Sequence, residues 1–365
     1  MCLVYCIVSI LVLLPFAQGA LYSQPNGGPW QSGLRVAWSS DGHTFGPWSL
    51  FQDSSGVPSA VRWKGDTMVC AFQWFREPRT APTWDRVAVK FSYDAGRTWT
   101  EPTPIVIDKF PMGYQRPFDP TLAVADGRLR LYFSSSEGMP MGGLTSIVDT
   151  YSAISDDGIN YTFEPGARYD VADRPLIDPA VVRFRGLWHY CAPRGAPQEG
   201  ANHAVSSDGL LFTPVPPYSS DAQHNWTGNY MLVDDTTMRF YGSGARLWYA
   251  ESKDGAQWSP YKEIGITGGD PTVVRASADE WFIIYVGPRQ ATTIDEKTTG
   301  EDPIIAPNPI GGSLVIKNLL SDDRIEVYDV LGQRIAADLS IAPSGQYLVV
   351  IHRGPAAHIR MAAVP

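Results

Sequence analysis

At 365 residues, 12% aromatic and with 34 glycines and 30 prolines, the chain has the make-up of a turn-rich all-β protein with room for more than one domain. A formal charge of −9 without a basic stripe argues against a general nucleic-acid binder and leaves a neutral or locally recognised ligand. Four cysteines are too few for a disulfide scaffold.

Residues 1–19 form an apolar run, Leu3-Val4 to Leu13-Leu14, closed by Ala17-Gln18-Gly19. This fits a signal peptide with its cleavage site; the missing Lys or Arg near its start leaves a membrane anchor as the other reading. The first reading leaves no membrane span in the mature chain. Cys2 and Cys6 would leave with it. A Gly/Pro-rich lead-in follows at residues 20–32.

From residue 33 to 289 two motifs recur in step. The fullest copy of the first is Ser92-x-Asp94-x-Gly96-x-Thr98-Trp99, the form called an Asp box. Shorter copies read Ser39-Ser40-Asp41-Gly42 to Phe45 and Ser155-Asp156-Asp157-Gly158 to Tyr161. Two more are Ser206-Ser207-Asp208-Gly209 to Phe212 and Ser252-Lys253-Asp254-Gly255 to Trp258. In such a turn the Asp accepts backbone N–H bonds, Gly takes the positive φ, and the aromatic tucks under the loop. A spacing of about 50 residues is that of solenoids and propellers.

The second motif is Asp119-Pro120-Thr121, echoed by Asp178-Pro179-Ala180 and Asp270-Pro271-Thr272, with degenerate copies at Val57-Pro58-Ser59 and from Asn229. Each opens an apolar run that precedes a polar turn and a second run. Four short strands per unit in five units predict a five-bladed β-propeller. The first Ser-x-Asp turn has no Asp-Pro strand before it, and the last Asp-Pro strand has no such turn after it. The fifth blade is therefore expected to pair residues 269–287 with residues 34–51, leaving no open edge. Cys70 and Cys191 fall on second strands of the first and third blades, where they are expected as buried small hydrophobes.

Residues 290–306 are polar, lack aromatics and read as a linker. Residues 307–365 change character: Pro307-Asn308-Pro309, Ile325-Glu326-Val327-Tyr328-Asp329, and Ser344-Gly345-Gln346-Tyr347-Leu348-Val349-Val350-Ile351 alternate short strands with Gly turns. That pattern predicts a small β-sandwich. The tail resembles the type A C-terminal sorting domain of the type IX (Por) secretion system over nearly its whole length. The resemblance implies outer-membrane type IX machinery as a partner, and a product that is secreted or attached to the cell surface. A carbohydrate-binding or immunoglobulin-like module is the other reading of the strands.

Strand order puts the starts of the inner strands and the Ser-x-Asp turns on opposite faces. Asp119, Asp178 and Asp270 would then ring the axis at one funnel, as carboxylates suited to acid–base work on a glycoside; they equally read as caps of strand starts. Loops on that face add Trp74, Glu77, Arg116, Arg194, Glu199 and Trp226 as candidate substrate contacts. Aromatics stack on sugar faces, and Arg holds carboxylate or sulfate. Arg76, Arg194, Arg246 and Arg289 follow second strands as a partial positive ring, or pair with nearby acids. The six histidines show no metal spacing and no phosphate-cradling Gly loop occurs, so no metal and no cofactor is expected.

The repeats resemble five-bladed glycoside hydrolases of the arabinanase/xylosidase and fructosidase type, and the turns also resemble those of sialidases. In the arabinanase type the first inner strand carries an Asp base, the second a pKa-tuning Asp and the third a Glu acid. Asp119 matches the second position, Asp178 replaces Glu at the third, and Val57 stands at the first, so the base would come from Asp270 or a loop carboxylate such as Asp53 or Glu77. The resemblance implies a glycosidase acting on a poly- or oligosaccharide, acidic ones included; a non-catalytic glycan-binding propeller is the alternative.

Overall fold

The computed structural model describes residues 32–76, 84–138, 147–172 and 174–287, followed by six short strands between Ile304 and Val364. The expected signal peptide, the lead-in up to residue 31 and most of the linker lie outside the described residues. The chain divides into two compact units, residues 1–289 and 290–365.

The first unit is a five-bladed propeller. Blade I comprises Ser55–Lys64, Thr67–Trp74, Arg86–Ser92 and Thr103–Pro104. Blade II comprises Phe118–Ala125, Arg128–Ser135, Asp149–Ser155 and Asn160–Tyr169, with Val106–Asp108 added parallel to its outer strand. Blade III comprises Ala180–Phe184, Leu187–Pro193, Ala201–Ser206 and Thr213–Tyr218; blade IV comprises His224–Asp234, Thr237–Gly244, Trp248–Ser252 and Lys262–Glu263. Blade V joins the two ends: Gly269–Ser277 and Glu280–Gly287 pair with Gly33–Ser39 and Phe45–Gln52. The closing ladder runs from Gly33 opposite Gly287 to Ser39 opposite Trp281, as the half-units at the two ends predict.

Apolar packing lies between blades. Leu34, Phe72, Phe282 and Ile284 form the core between blades V and I, and Phe91, Leu131, Phe133 and Tyr161 that between I and II. Three further clusters fill the remaining gaps. Burial of each large side chain is worth about 1.5–3 kcal/mol, so every blade is held by both neighbours. Cys70 and Cys191 are buried free thiols within these clusters.

The five Ser-x-Asp turns share one hydrogen-bond pattern. In each, the Ser Oγ donates to the Asp Oδ1 at 2.8–3.1 Å and accepts the N–H of the turn glycine at 2.8–2.9 Å. The Asp Oδ1 takes further N–H groups, as from Ile159 and Asn160 at 2.8 and 2.7 Å. The glycines also lie against the preceding blade. A Cβ on Gly255 would come 2.2 Å from the His189 ring, and one on Gly96 would come 2.6 Å from Phe282. Tyr218 and Tyr132 hydroxyls reach across to the carbonyls of Gly255 and Gly209 at 2.7 and 2.8 Å. Each turn thus fastens one blade to the next.

The second unit contains a four-stranded antiparallel sheet of Arg334–Ile335, Arg324–Tyr328, Gly345–Arg353 and Ala356–Val364, and a two-stranded ladder of Ile304–Ile305 with Ile316–Lys317. Val327, Val349 and Ile351 are buried.

Candidate functional site

The inner strands bring the Asp-Pro positions together. Val57, Asp119, Asp178 and Asp270 all stand at positive φ (48°, 50°, 51° and 48°), a left-handed conformation that Asp tolerates and a β-branched residue rarely adopts. In blades I, II and V the residue and its proline form a bulge against the second strand, and the ladder resumes at Ser59, Thr121 and Thr272. The residue after the proline then ties neighbouring blades across the axis. Ser59 Oγ accepts from Leu122 N at 3.0 Å, Thr272 Oγ1 from Ala60 N at 3.0 Å, and Thr121 Oγ1 donates to Pro179 O. Asn229 takes this place in blade IV, donating to Pro58 O at 3.1 Å and lying 3.2 Å from Ser59 Oγ. This polar belt fixes the backbone beneath the three aspartates.

The aspartates are half-buried, with protein packed closely around them. Asp178 N donates to Asp119 Oδ2 at 3.2 Å, and Asp270 N donates to Ser243 Oγ at 2.9 Å. Burial pushes Asp119 up to about 7; the Asp178 N–H opposes this and the charge of Asp270 adds to it. Burial, then the charges of Asp119 and Asp270, hold Asp178 well above the usual carboxylate range. Burial raises Asp270 to about 6. The three feel one another's charge, so they titrate as a set that retains protons near neutrality.

The loop candidates divide. Trp226 is 1% exposed and packs among Phe240, Trp248 and Trp258, so it is core and not a ligand contact. The reason is local: in blade IV the ladder skips from Asn225 to Gly228, and the bulge turns Trp226 inward. Trp74 is likewise buried, in the core between blades V and I, with the Arg76 guanidinium 5.3 Å from its ring centroid. Arg116 is engaged by Asp85 Oδ2 at 3.2 Å and Trp84 O at 3.1 Å. Glu199 closes a 3₁₀ turn, Pro197–Glu199, with Arg174 Nη1 3.7 Å from its Oε2. Arg246 lies 3.9 Å from Glu263 and donates to Gly265 O at 3.2 Å. Asp53 is exposed and accepts from Gln52 Nε2 at 3.0 Å. Glu77 and Arg289 lie outside the described residues.

Arg194 Nε is buried with no hydrogen-bond partner, as are Arg130 Nε and Arg168 Nε elsewhere in the propeller. Gln73 Oε1, Asp149 Oδ1 and Asn225 Oδ1 are also buried without partners, and all four belong to the strand ends on the side of the three aspartates. Buried polar groups are ordinarily satisfied; besides these four on the funnel side, unmatched buried atoms also occur on the turn side, as at Tyr161 Oη and Trp281 Nε1. Asp149 is pushed up to about 6 by burial and by Asp170. Arg194 is among the substrate contacts expected from the sequence; Gln73, Asp149 and Asn225 lie outside the two motifs, and no repeat signal marks them.

No protein-family model and no curated protein matches the chain. Among solved structures, the GH43_1 enzyme of Xanthomonas citri aligns with a TM-score of 0.47 at 14% identity, over 64% of this chain and 87% of that one. A family 117 glycoside hydrolase of Zobellia galactanivorans gives a TM-score of 0.47 at 14% identity, over 71% and 91%. A protein of unknown function from Dyadobacter fermentans gives 0.44 at 15%, over 90% and 98%. At these identities and TM-scores the likenesses assign nothing to this chain; its five blades rest on its own strand order.

Proposed function

We propose that the propeller is a glycoside hydrolase acting on a poly- or oligosaccharide, with Asp178 as general acid, Asp270 as base and Asp119 tuning Asp178. The observation that carries this reading is the set of three half-buried aspartates at one register and one left-handed conformation, coupled so that protons persist near neutral pH. A carboxyl that keeps its proton can give it to the leaving glycosidic oxygen, while a lower-titrating neighbour takes one from the attacking water. In that step the C–O bond breaks, a C–O bond to water forms, and Asp178 loses a proton as Asp270 gains one. Asp119 holds the Asp178 backbone and adds negative charge beside it. Unmatched polar atoms around the mouth, Arg194 Nε among them, suit sugar hydroxyls or an acidic sugar.

In this reading the enzyme works outside the cell, secreted or held at its surface: residues 1–19 direct export, and residues 307–365 engage type IX machinery at the outer membrane. Support comes from the Ser-Gly-x-Tyr strand and its partners in the tail's sheet. Reducing-end release from a panel of neutral and acidic glycans tests the activity. Turnover lost about 100-fold or more in D178N, D119N and D270N, with the fold intact, is expected. Binding without turnover by the unaltered chain would overturn hydrolysis and leave a glycan-binding propeller. Three variants equal to the parent in both would make the Asp-Pro pairs strand starts and nothing more.

A further inference from the structure

Blade I brings no inner-strand carboxylate to the funnel, since Val57 holds that position. A carboxylate from its third strand lies close by. Asp85 immediately precedes Arg86–Ser92 and stands at φ 54°, again left-handed. Gln73 Nε2 donates to Asp85 Oδ1 at 2.5 Å, and Arg116 Nη2 donates to Oδ2 at 3.2 Å. Gln73 is 4% exposed and pairs with Gly56, next to Val57; its Oε1 is one of the orphaned acceptors. Arg116 also grips Trp84 O at 3.1 Å and lies just ahead of Phe118–Ala125, the strand that carries Asp119. The clamp therefore joins blade I to the segment that delivers Asp119.

We propose that Asp85 is a positioning residue of the funnel: held by Gln73 and Arg116, it supplies from the third strand the negative charge that Val57 cannot supply from the inner strand. Arg116 sets how much of that charge reaches Asp119. The proposal rests on the reading of Asp119, Asp178 and Asp270 as the reacting centre. With both oxygens engaged, Asp85 acts through Asp119 and not on substrate. Among the described residues, the charges that act on Asp119 are those of Asp270 on blade V and Asp85 beside blade I, while Asp178 gives it a backbone N–H; Asp85 is itself bonded to Arg116 and acts on Arg86. A like charge raises a carboxyl pKa and an opposite charge lowers it. Removing Asp85 leaves Arg116 unneutralised, whereas removing Arg116 leaves Asp85 unneutralised, so the two changes act in opposite directions.

The test is the ¹³C carboxyl titration of Asp119 in the full chain, in the parent, D85N, R116Q and the double variant. We expect the Asp119 midpoint to fall in D85N, to rise in R116Q, each by about half a unit or more, and to return toward the parent value in the double variant. Shifts of one sign, or none, overturn the proposal, because a clamp that is merely structural has no reason to give opposite signs. The Arg116 side chain is half-exposed, so R116Q keeps its fold; a rise there is decisive even where D85N fails to fold. Glycan turnover by D119N is measured alongside. Turnover unchanged in D119N overturns the acid–base reading and this proposal with it, while turnover lost with no R116Q shift overturns the proposal alone.

Discussion

The two faces of the propeller carry repeated aspartates with opposite electrostatics. On one face Asp94 is brought down to about 2, chiefly by the Thr98 hydroxyl and then by the Thr98 N–H and the Ser92 hydroxyl. Asp157 is held at about 2 chiefly by the Asn160 side chain, which with the Asn160 and Ile159 N–H groups and the Ser155 hydroxyl outweighs burial. On the other face Asp119 and Asp270 are raised to about 7 and about 6. The residue type is the same and both sets recur at blade spacing. What differs is supply: each turn offers its carboxylate three or more donors in solvent, whereas the funnel offers few donors, less water and other carboxylates. A turn aspartate is spent on structure, and a funnel aspartate keeps a proton available for chemistry.

The largest effect is expected from breaking the structural face. At φ +79° and with a Cβ placed 2.2 Å from His189, Gly255→Ala should lower the urea midpoint by an amount worth about 2–4 kcal/mol. Gly65→Ala, at φ +55° with open space around it, is the control and should cost much less. Next comes the chemical face. Asp178→Asn should reduce kcat on an accepted glycan by about 100-fold, roughly 2.7 kcal/mol, with an unchanged melting temperature or a higher one.

Stability against pH sharpens the contrast. Asp119 keeps its proton up to about 7, whereas an unfolded Asp releases it near 3.9. Over that interval the folded state binds more protons, so this group lowers stability as pH rises from about 4 to 7, and the cost stays constant above. Asp119→Asn, which also tolerates left-handed φ, should gain on the order of 1–3 kcal/mol at pH 8 and nothing near pH 3. Asp157 has the reverse sign: its contribution is present above about 3.9 and is lost as pH falls through about 2. Asp157→Asn should therefore cost stability at pH 7 and not at pH 2, and by well under 1 kcal/mol, because water screens an exposed group. The smallest effect concerns the tail. Ending the chain at residue 300 should leave the propeller's thermal transition in place, since the two units are separately compact.

Much of the fold was legible because its signals are local. A Ser-x-Asp-Gly turn closes its hydrogen bonds within a few residues, and five copies in register imply five blades, the last made by joining residues 34–51 to residues 269–287. The Asp-Pro register was legible for the same reason. Other features depend on contacts between distant segments. Asp85 is held by Gln73 from blade I and by Arg116 from the segment before Asp119, a meeting that no spacing announces. The belt of Ser59, Thr121, Asn229 and Thr272 joins inner strands far apart in the chain. Trp226 looked like a funnel aromatic because its loop precedes an inner strand; the longer bulge of blade IV turns it into the core.

A single ¹³C carboxyl titration of the unaltered chain, with resonances assigned through Asp→Asn variants, addresses the central claim most directly. The account predicts two populations on one molecule: Asp94 and Asp157 titrating near 2, and the set of Asp119, Asp178 and Asp270 titrating at about 6 and above. All three funnel aspartates titrating below about 4, the ordinary range for the residue, would contradict it, since no proton would then remain for an acid to give.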